Sequence, residues 1–142
     1  MPSQYEDDLY YMQVARLTAQ RSKALRKQVG ACLVTPSGII IPGYNGTAPG
    51  DTNFCELETP EGLVTKPDVI HAELNCILKA AKEGVSVKGS TIYVTLSPCL
   101  ACSAMLAAAQ IERVVWHENY KCTQGLDKLH TLGVKLSQFT DT

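Results

Sequence analysis

At 142 residues the chain has the length of one domain, enough to bury about 70% of its unfolded surface with no disulfide or other staple. Thirteen basic residues against fourteen acidic ones leave a net charge of −1 with no run of either sign, so the electrostatic footprint of a protein that binds a nucleic-acid polymer is missing. No apolar run has membrane-spanning length and the N-terminal MPSQYEDDLYYMQ lacks the apolar core of a leader; a soluble, cytoplasmic protein with no membrane partner is expected.

In chain order, Leu9, Met12, Leu17 and Leu25 with interleaved alanines predict an amphipathic helix over residues 8–25. VGACLVTPSGIIIPGYNG (29–46) holds two β-branched runs joined by Pro36-Ser37-Gly38 and predicts a hairpin. Residues 47–68 carry prolines and glycines without periodicity and read as a long loop, of the kind that is often functional. HAELNCILKAAKEG (71–84) predicts a helix ended by Gly84, and STIYVTL (90–96) a buried strand. SPCLACSAMLAAAQ (97–110) predicts a helix with Ser97 as N-cap and Pro98 in its first turn. IERVVWHE (111–118) follows as a strand, TQGLDKLHTLG (123–133) as a short helix closed by Gly133, and VKLSQF (134–139) as the last strand. These elements imply an α/β fold in a single domain over residues 1–142. Its five-stranded mixed sheet is covered by helices, with one antiparallel pair from the hairpin and parallel pairing among the later strands.

Six cysteines in a chain of this expected location read as metal ligands, reactive thiolates or small buried hydrophobes rather than as disulfides. Cys99 and Cys102 open a helix, where three-residue spacing puts both sulfurs on one face and free N–H groups favour thiolates. That suits redox chemistry or a metal equally. His71 decides between them: it starts another helix that also follows a loop and precedes a strand, so both helix starts can meet at the carboxyl edge of one sheet, where open α/β sheets bind ligands. Two thiolates and an imidazole give Zn²⁺ three protein ligands and leave a fourth position open, the arrangement of a catalytic site. Glu73, two residues beyond His71, supplies a carboxylate that need not touch the metal and can carry protons in hydrolysis of a C–NH₂ bond. Cys32 and Cys76 read as core hydrophobes, and Cys55 and Cys122 fall in expected loops.

His71-Ala72-Glu73 and Pro98-Cys99-Leu100-Ala101-Cys102, separated by the 24 residues from Leu74 to Ser97, match the H-x-E…P-C-x-x-C pattern of zinc nucleobase deaminases. Together with AQRSK, QVGACLV, GYNG, YVTLSPCLAC and ERVVWHENY in order, they make the chain resemble the cytidine deaminase superfamily over nearly its whole length, and within it the deoxycytidylate deaminases. The resemblance implies a three-layer α/β/α cytidine deaminase-like fold and zinc-dependent hydrolysis of dCMP to dUMP and ammonia, a step towards thymidylate. It implies Glu73 as the proton carrier and His71, Cys99 and Cys102 as the zinc ligands. By the same resemblance the backbone N–H of Ala72 holds the base O2, the carbonyl of Ser97 the amino group, and Asn45 the sugar 3′-hydroxyl; an Asn-Gly turn is the alternative for Asn45. The 5′-phosphate falls to the cluster of Arg21, Ser22, Lys23, Arg26 and Lys27, with Tyr120 and Lys121 as further candidates. Members of the family are typically hexamers activated by dCTP and inhibited by dTTP, with Mg²⁺ on the triphosphate. The effector segment would here include Tyr44, Asn45, Gly46 and Glu58, in a stretch shorter than usual that leaves dCTP open as a second substrate. Relatives with a second zinc carry cysteines after the Ser-Lys pair, where this chain has Ala24 and Leu25.

Two other readings remain at this level. One is a different deaminase of the superfamily, acting on free cytosine, cytidine, guanine or tRNA adenosine; near-neutral charge and few aromatic residues speak against the tRNA enzyme. The other is a non-catalytic zinc or thiol module built on Cys99 and Cys102.

Overall fold

The computed structural model describes residues 3–141. Helix α1 (Gln4–Ala19) precedes strands β1 (Gly30–Val34) and β2 (Ile40–Tyr44) and a small hairpin of β3 (Glu56–Thr59) and β4 (Gly62–Thr65). Then come α2 (Ala72–Glu83), β5 (Thr91–Leu96), α3 (Leu100–Ala108), β6 (Arg113–Glu118), α4 (Gln124–Thr131) and β7 (Lys135–Gln138). The main sheet has the order β2-β1-β5-β6-β7, parallel between β5 and β6 and between β6 and β7. Strand β1 is antiparallel to both its neighbours, so there are two antiparallel pairs where the hairpin alone predicts one. The physical reason is the crossover: β2 and β5 point the same way, α2 connects them, and β1 lies between them in the sheet.

Strand side chains alternate between two cores, as period-two geometry requires. Ala31, Leu33, Ile92, Val94, Val114 and Trp116 face α2, α3 and α4. Cys32, Tyr93 and Val115 face the other way, onto Met12 and Ala15 of α1. Three layers result, as expected. Gly30 lets α1 press on β1, since a Cβ there would lie 1.9 Å from the Ala15 carbonyl oxygen. Asp8 of α1 locks the same interface, accepting both Arg113 guanidinium donors at 2.8 Å and the Tyr93 hydroxyl at 2.8 Å.

Three sequence expectations need correction. The first helix starts at Gln4, capped by Ser3, and stops at Ala19 rather than running to residue 25. Tertiary capture wins over helix propensity there: the buried Ser22 hydroxyl donates to the Asn45 carbonyl (2.7 Å) and Gln28 Nε2 donates to the Ser22 carbonyl (2.7 Å). Second, residues 47–68 are not all loop. Glu56 pairs with Thr65 and Thr59 with Gly62 across a tight turn, but most of the hairpin's side chains are exposed, so no alternation of polarity marks it. Third, α3 is capped by Cys99, whose Sγ accepts the Cys102 N–H at 3.4 Å, and not by Ser97.

Candidate active site

Four segments meet at the carboxyl edge of the sheet. The segment before β1 arrives there because β1 runs antiparallel to its neighbours, and the turn after β2 is tied to Ile70 by reciprocal backbone bonds with Gly46 of 3.0 and 2.8 Å. That bridge sets His71 at the start of α2. The turn after β5 sets Cys99 and Cys102 at the start of α3. Glycines allow both helices to approach: a Cβ on Gly43 would lie 2.8 Å from the Ala72 carbonyl oxygen, and one on Gly125 would lie 2.2 Å from that of Pro98. Asn75 adds a clamp, donating from Nδ2 to the Tyr44 carbonyl at 2.6 Å.

The ligand atoms of His71, Cys99 and Cys102 lie within 4.8 Å of one another. His71 Nδ1 is 3.2 Å from Cys102 Sγ and 3.6 Å from Cys99 Sγ. Tetrahedral zinc with bonds of about 2.3 Å to sulfur and about 2.0 Å to nitrogen requires N···S edges of about 3.5 Å, so the donor set fits this metal. A hydrogen bond from the Cys102 thiol, then one from His71, holds Cys99 as a thiolate with its pKa down at about 3, while Cys102, the thiol donor of that pair, is pushed up and would give up its proton on binding zinc. His71 is raised by its bond to Cys99, against the effect of burial.

Glu73 is buried on the floor of a cavity of about 510 Å³. Burial pushes its carboxyl up to about 7, opposed by its own backbone N–H and by His71. A carboxyl so placed both takes up and gives up a proton near neutrality.

The other expected site residues separate into those on the cavity wall and those away from it. Ala72, Ser97, Asn45, Arg26, Lys27, Tyr120 and Lys121 line it. Arg21 and Lys23 are exposed outside it, and Ser22 is buried with its hydroxyl committed to Asn45 and to the Ala24 N–H. Tyr44, Gly46 and Glu58 lie off the cavity wall, Glu58 exposed on the β3–β4 hairpin. Asn45 is no left-handed turn residue: its Oδ1 accepts the Val29 N–H at 2.9 Å and its Nδ2 donates to the Lys27 carbonyl at 2.8 Å. Ser97 has two anchors, its N–H donating to the Glu118 carbonyl (2.9 Å) and its Oγ accepting the Tyr120 N–H (2.7 Å). Cys32 and Cys76 are buried in the cores, as expected. Sequence reasoning missed Glu56, Thr65, Glu118 and Asn119 on the cavity wall. The first two lie on the unrecognised hairpin and the others at the end of a strand, with no local signal of their own.

Comparison with known proteins agrees with this architecture. The family model of the cytidine and deoxycytidylate deaminase zinc-binding region matches residues 5–118. Mouse deoxycytidylate deaminase is 40% identical over 141 residues, covering 92% of this chain and 78% of the mouse protein. The deoxycytidylate deaminase of Enterobacteria phage T4 is 33% identical over 147 residues, covering 77% and 76%. Among solved structures, the dCMP deaminase of cyanophage S-TIM5, crystallised with dCMP and dUMP, superposes with a TM-score of 0.89 at 40% identity, covering 97% of this chain and all of that one. A tRNA adenosine deaminase at 20% identity and a TM-score of 0.63 shares the fold alone. The chain belongs to the cytidine and deoxycytidylate deaminase family and is a deaminase of its deoxycytidylate branch.

Proposed function

We propose that this enzyme hydrolyses dCMP to dUMP and ammonia, with Zn²⁺ held by His71, Cys99 and Cys102. The observation that carries the reading is the buried Glu73 carboxyl beside that donor set, in a cavity also lined by Arg26, Lys27 and Lys121. When bound, zinc supplies a water acidified to a pKa near 7. Glu73 would take up one proton of the attacking water and deliver it to N3 of the cytosine, and would then carry the water's second proton to the departing amine. The Ala72 N–H, in the first turn of α2 where amides lack helical acceptors, receives the base O2. The Ser97 carbonyl receives the amino group. Asn45 has a second Nδ2 hydrogen to offer the sugar 3′-hydroxyl beside the one committed to Lys27. The 5′-phosphate goes to Arg26 and Lys27 with Tyr120 and Lys121, because Arg21 and Lys23 stand outside the cavity. S-TIM5 dCMP deaminase, named for this substrate, supports the assignment.

The same reading makes the protein a cytoplasmic homo-oligomer, typically a hexamer. Exposed Leu25, Phe54, Leu57, Leu63 and Val64, all on or near the β3–β4 hairpin, give it an apolar surface to associate through. No helix among the described residues is long and apolar enough to cross a membrane. Acceptance of dCTP, activation by dCTP and inhibition by dTTP with Mg²⁺ extend the proposal, through Tyr44, Asn45, Gly46 and Glu58. Ammonia release from dCMP, dCTP, cytidine and single-stranded DNA by the zinc-loaded protein, with and without dCTP or dTTP, tests all of it. Turnover of dCMP above the others is expected. Turnover of none refutes the substrate, and preference for cytidine refutes the phosphate wall.

A further inference from the structure

On the cavity wall, Glu56 Oε2 accepts two successive backbone amides, Leu25 N–H at 2.9 Å and Arg26 N–H at 3.1 Å. Consecutive amides converging on one oxygen are the way a backbone grips an anion. The next donors along the segment are engaged in the same manner. Arg26 Nη1 donates to Thr65 Oγ1 at 3.1 Å, from the residue paired with Glu56 across the hairpin, and Lys27 Nζ meets Glu118 Oε2 at 2.7 Å. Two of the cations placed against a nucleotide's phosphate, Arg26 and Lys27, and the amides before them are therefore already met by protein oxygens, two of these from carboxylates. As stabilising contacts these are weak: the Lys27 and Glu118 side chains are 48% and 52% exposed, and pairs of that kind contribute little to folding. As occupants of a phosphate site they matter more, since they put negative charge where a dianion must bind.

We propose that the carboxylates of Glu56 and Glu118 stand in for the substrate's phosphate and are displaced by it. Resting on the reading of the cavity as a phosphorylated-nucleotide site, this makes both residues determinants of specificity. A phosphate monoester offers three acceptor oxygens and up to two charges against one carboxylate, so it displaces them, whereas a singly charged or neutral ligand does not. The hairpin's own ladder and the Lys66 N–H to Cys55 carbonyl bond (2.8 Å) do not involve the Glu56 side chain, so its internal pairing is kept during the exchange.

The test uses the full-length zinc-loaded protein and its Glu56→Gln and Glu118→Gln variants, with calorimetric titration of dUMP and of deoxyuridine and KM for dCMP. Glutamine keeps an acceptor oxygen and removes the charge. The expected result is dUMP binding tightened by about fivefold in each variant, as removal of a like charge near a surface site gives, with a parallel fall in KM and a difference that shrinks at high salt. Deoxyuridine should bind each variant as it binds the wild type. Unchanged or weaker dUMP binding, or equal tightening towards deoxyuridine, overturns the inference and leaves Glu56 as a brace for the 25–26 turn. If Glu56→Gln does not fold, Glu118→Gln, which alters only a side-chain pair, decides alone. A wild type that neither binds dUMP nor deaminates dCMP overturns the substrate reading and this inference together; a competent wild type with variants that fail to tighten overturns this inference only.

Discussion

Replacing Gly125 with alanine should loosen the metal site from a helix that contributes no ligand. A Cβ at this position would meet the Pro98 carbonyl oxygen at 2.2 Å, Ser103 Oγ at 2.6 Å and the Cys99 carbonyl oxygen at 2.8 Å. Restoring ordinary contact at about 3.4 Å takes a displacement of about 1.2 Å at Pro98 and about 0.6 Å at Cys99. Two of the three obstacles are backbone of the segment that carries Cys99, so side-chain rotation cannot relieve them. Ser103 is fully buried, with no hydrogen-bond partner for its hydroxyl among the described residues. Overpacking of this kind costs about 1–3 kcal/mol. Metal ligands tolerate about 0.2 Å of misplacement, well under the shift required, so zinc affinity should fall by at least about tenfold together with stability. Competition with a chromophoric chelator measures the affinity, and thermal unfolding with and without added zinc measures the stability. Wild-type zinc affinity in a destabilised variant would refute the reasoning, since α4 would then have moved instead of the Cys99 segment.

Glu73→Gln should lower kcat by about 10²–10⁴-fold with zinc content unchanged; loss of the metal would instead make Glu73 a ligand. Removing zinc with a chelator should abolish ammonia release, and adding it back should restore the activity. Ser97→Ala leaves the Tyr120 N–H without its acceptor, at a cost of about 1–2 kcal/mol, and should raise KM for dCMP more than it lowers kcat, because the released segment carries wall residues and no proton carrier. Asp8→Asn should destabilise by about 3 kcal/mol at neutral pH by stranding Arg113, read by chemical denaturation. Burial would raise the Asp8 carboxyl, but Arg113, Tyr93 and Gln4 together outweigh it and hold it below its ordinary value. Folding therefore favours the ionised form: the stabilisation is complete above about pH 4 and is lost as pH falls through the lower folded pKa. The wild type should lose stability in acid more steeply than the variant, and parallel curves would count against the assignment.

The alternating strands and the two ligand-bearing helix starts were legible because each has a local cause. Continuous apolar runs, buried on both faces, wrote β1, β5 and β6 into the sequence, and Gly84 ends α2 at φ +70° as a glycine past a helix is expected to. His71 and the cysteine pair could be joined without a structure, since both open helices at strand ends and a crossover sheet brings such ends together. What stayed hidden depends on partners distant in sequence. The first helix ends early because Ser22 and Gln28 are captured by each other and by Asn45, which no helical periodicity records. The sequence presents Asn45 as a sugar ligand or a turn residue, yet its amide also splints the chain between Lys27 and Val29.

The densest cluster of positive charge in the sequence divides for a related reason. Arg21 and Lys23 belong to the same run as Arg26 and Lys27, but the chain has left its helix by then, and burial of Ser22 between them turns both outward. Arg26 and Lys27 reach the cavity beside the 27–29 backbone that Asn45 holds. Which cations reach the cavity is thus set less by their number in a stretch of sequence than by side chains that hold the backbone from a distance. Asn45 just after β2, Glu56 on β3 and Glu118 at the end of β6 meet that segment only where the folded sheet edge brings them to one cavity.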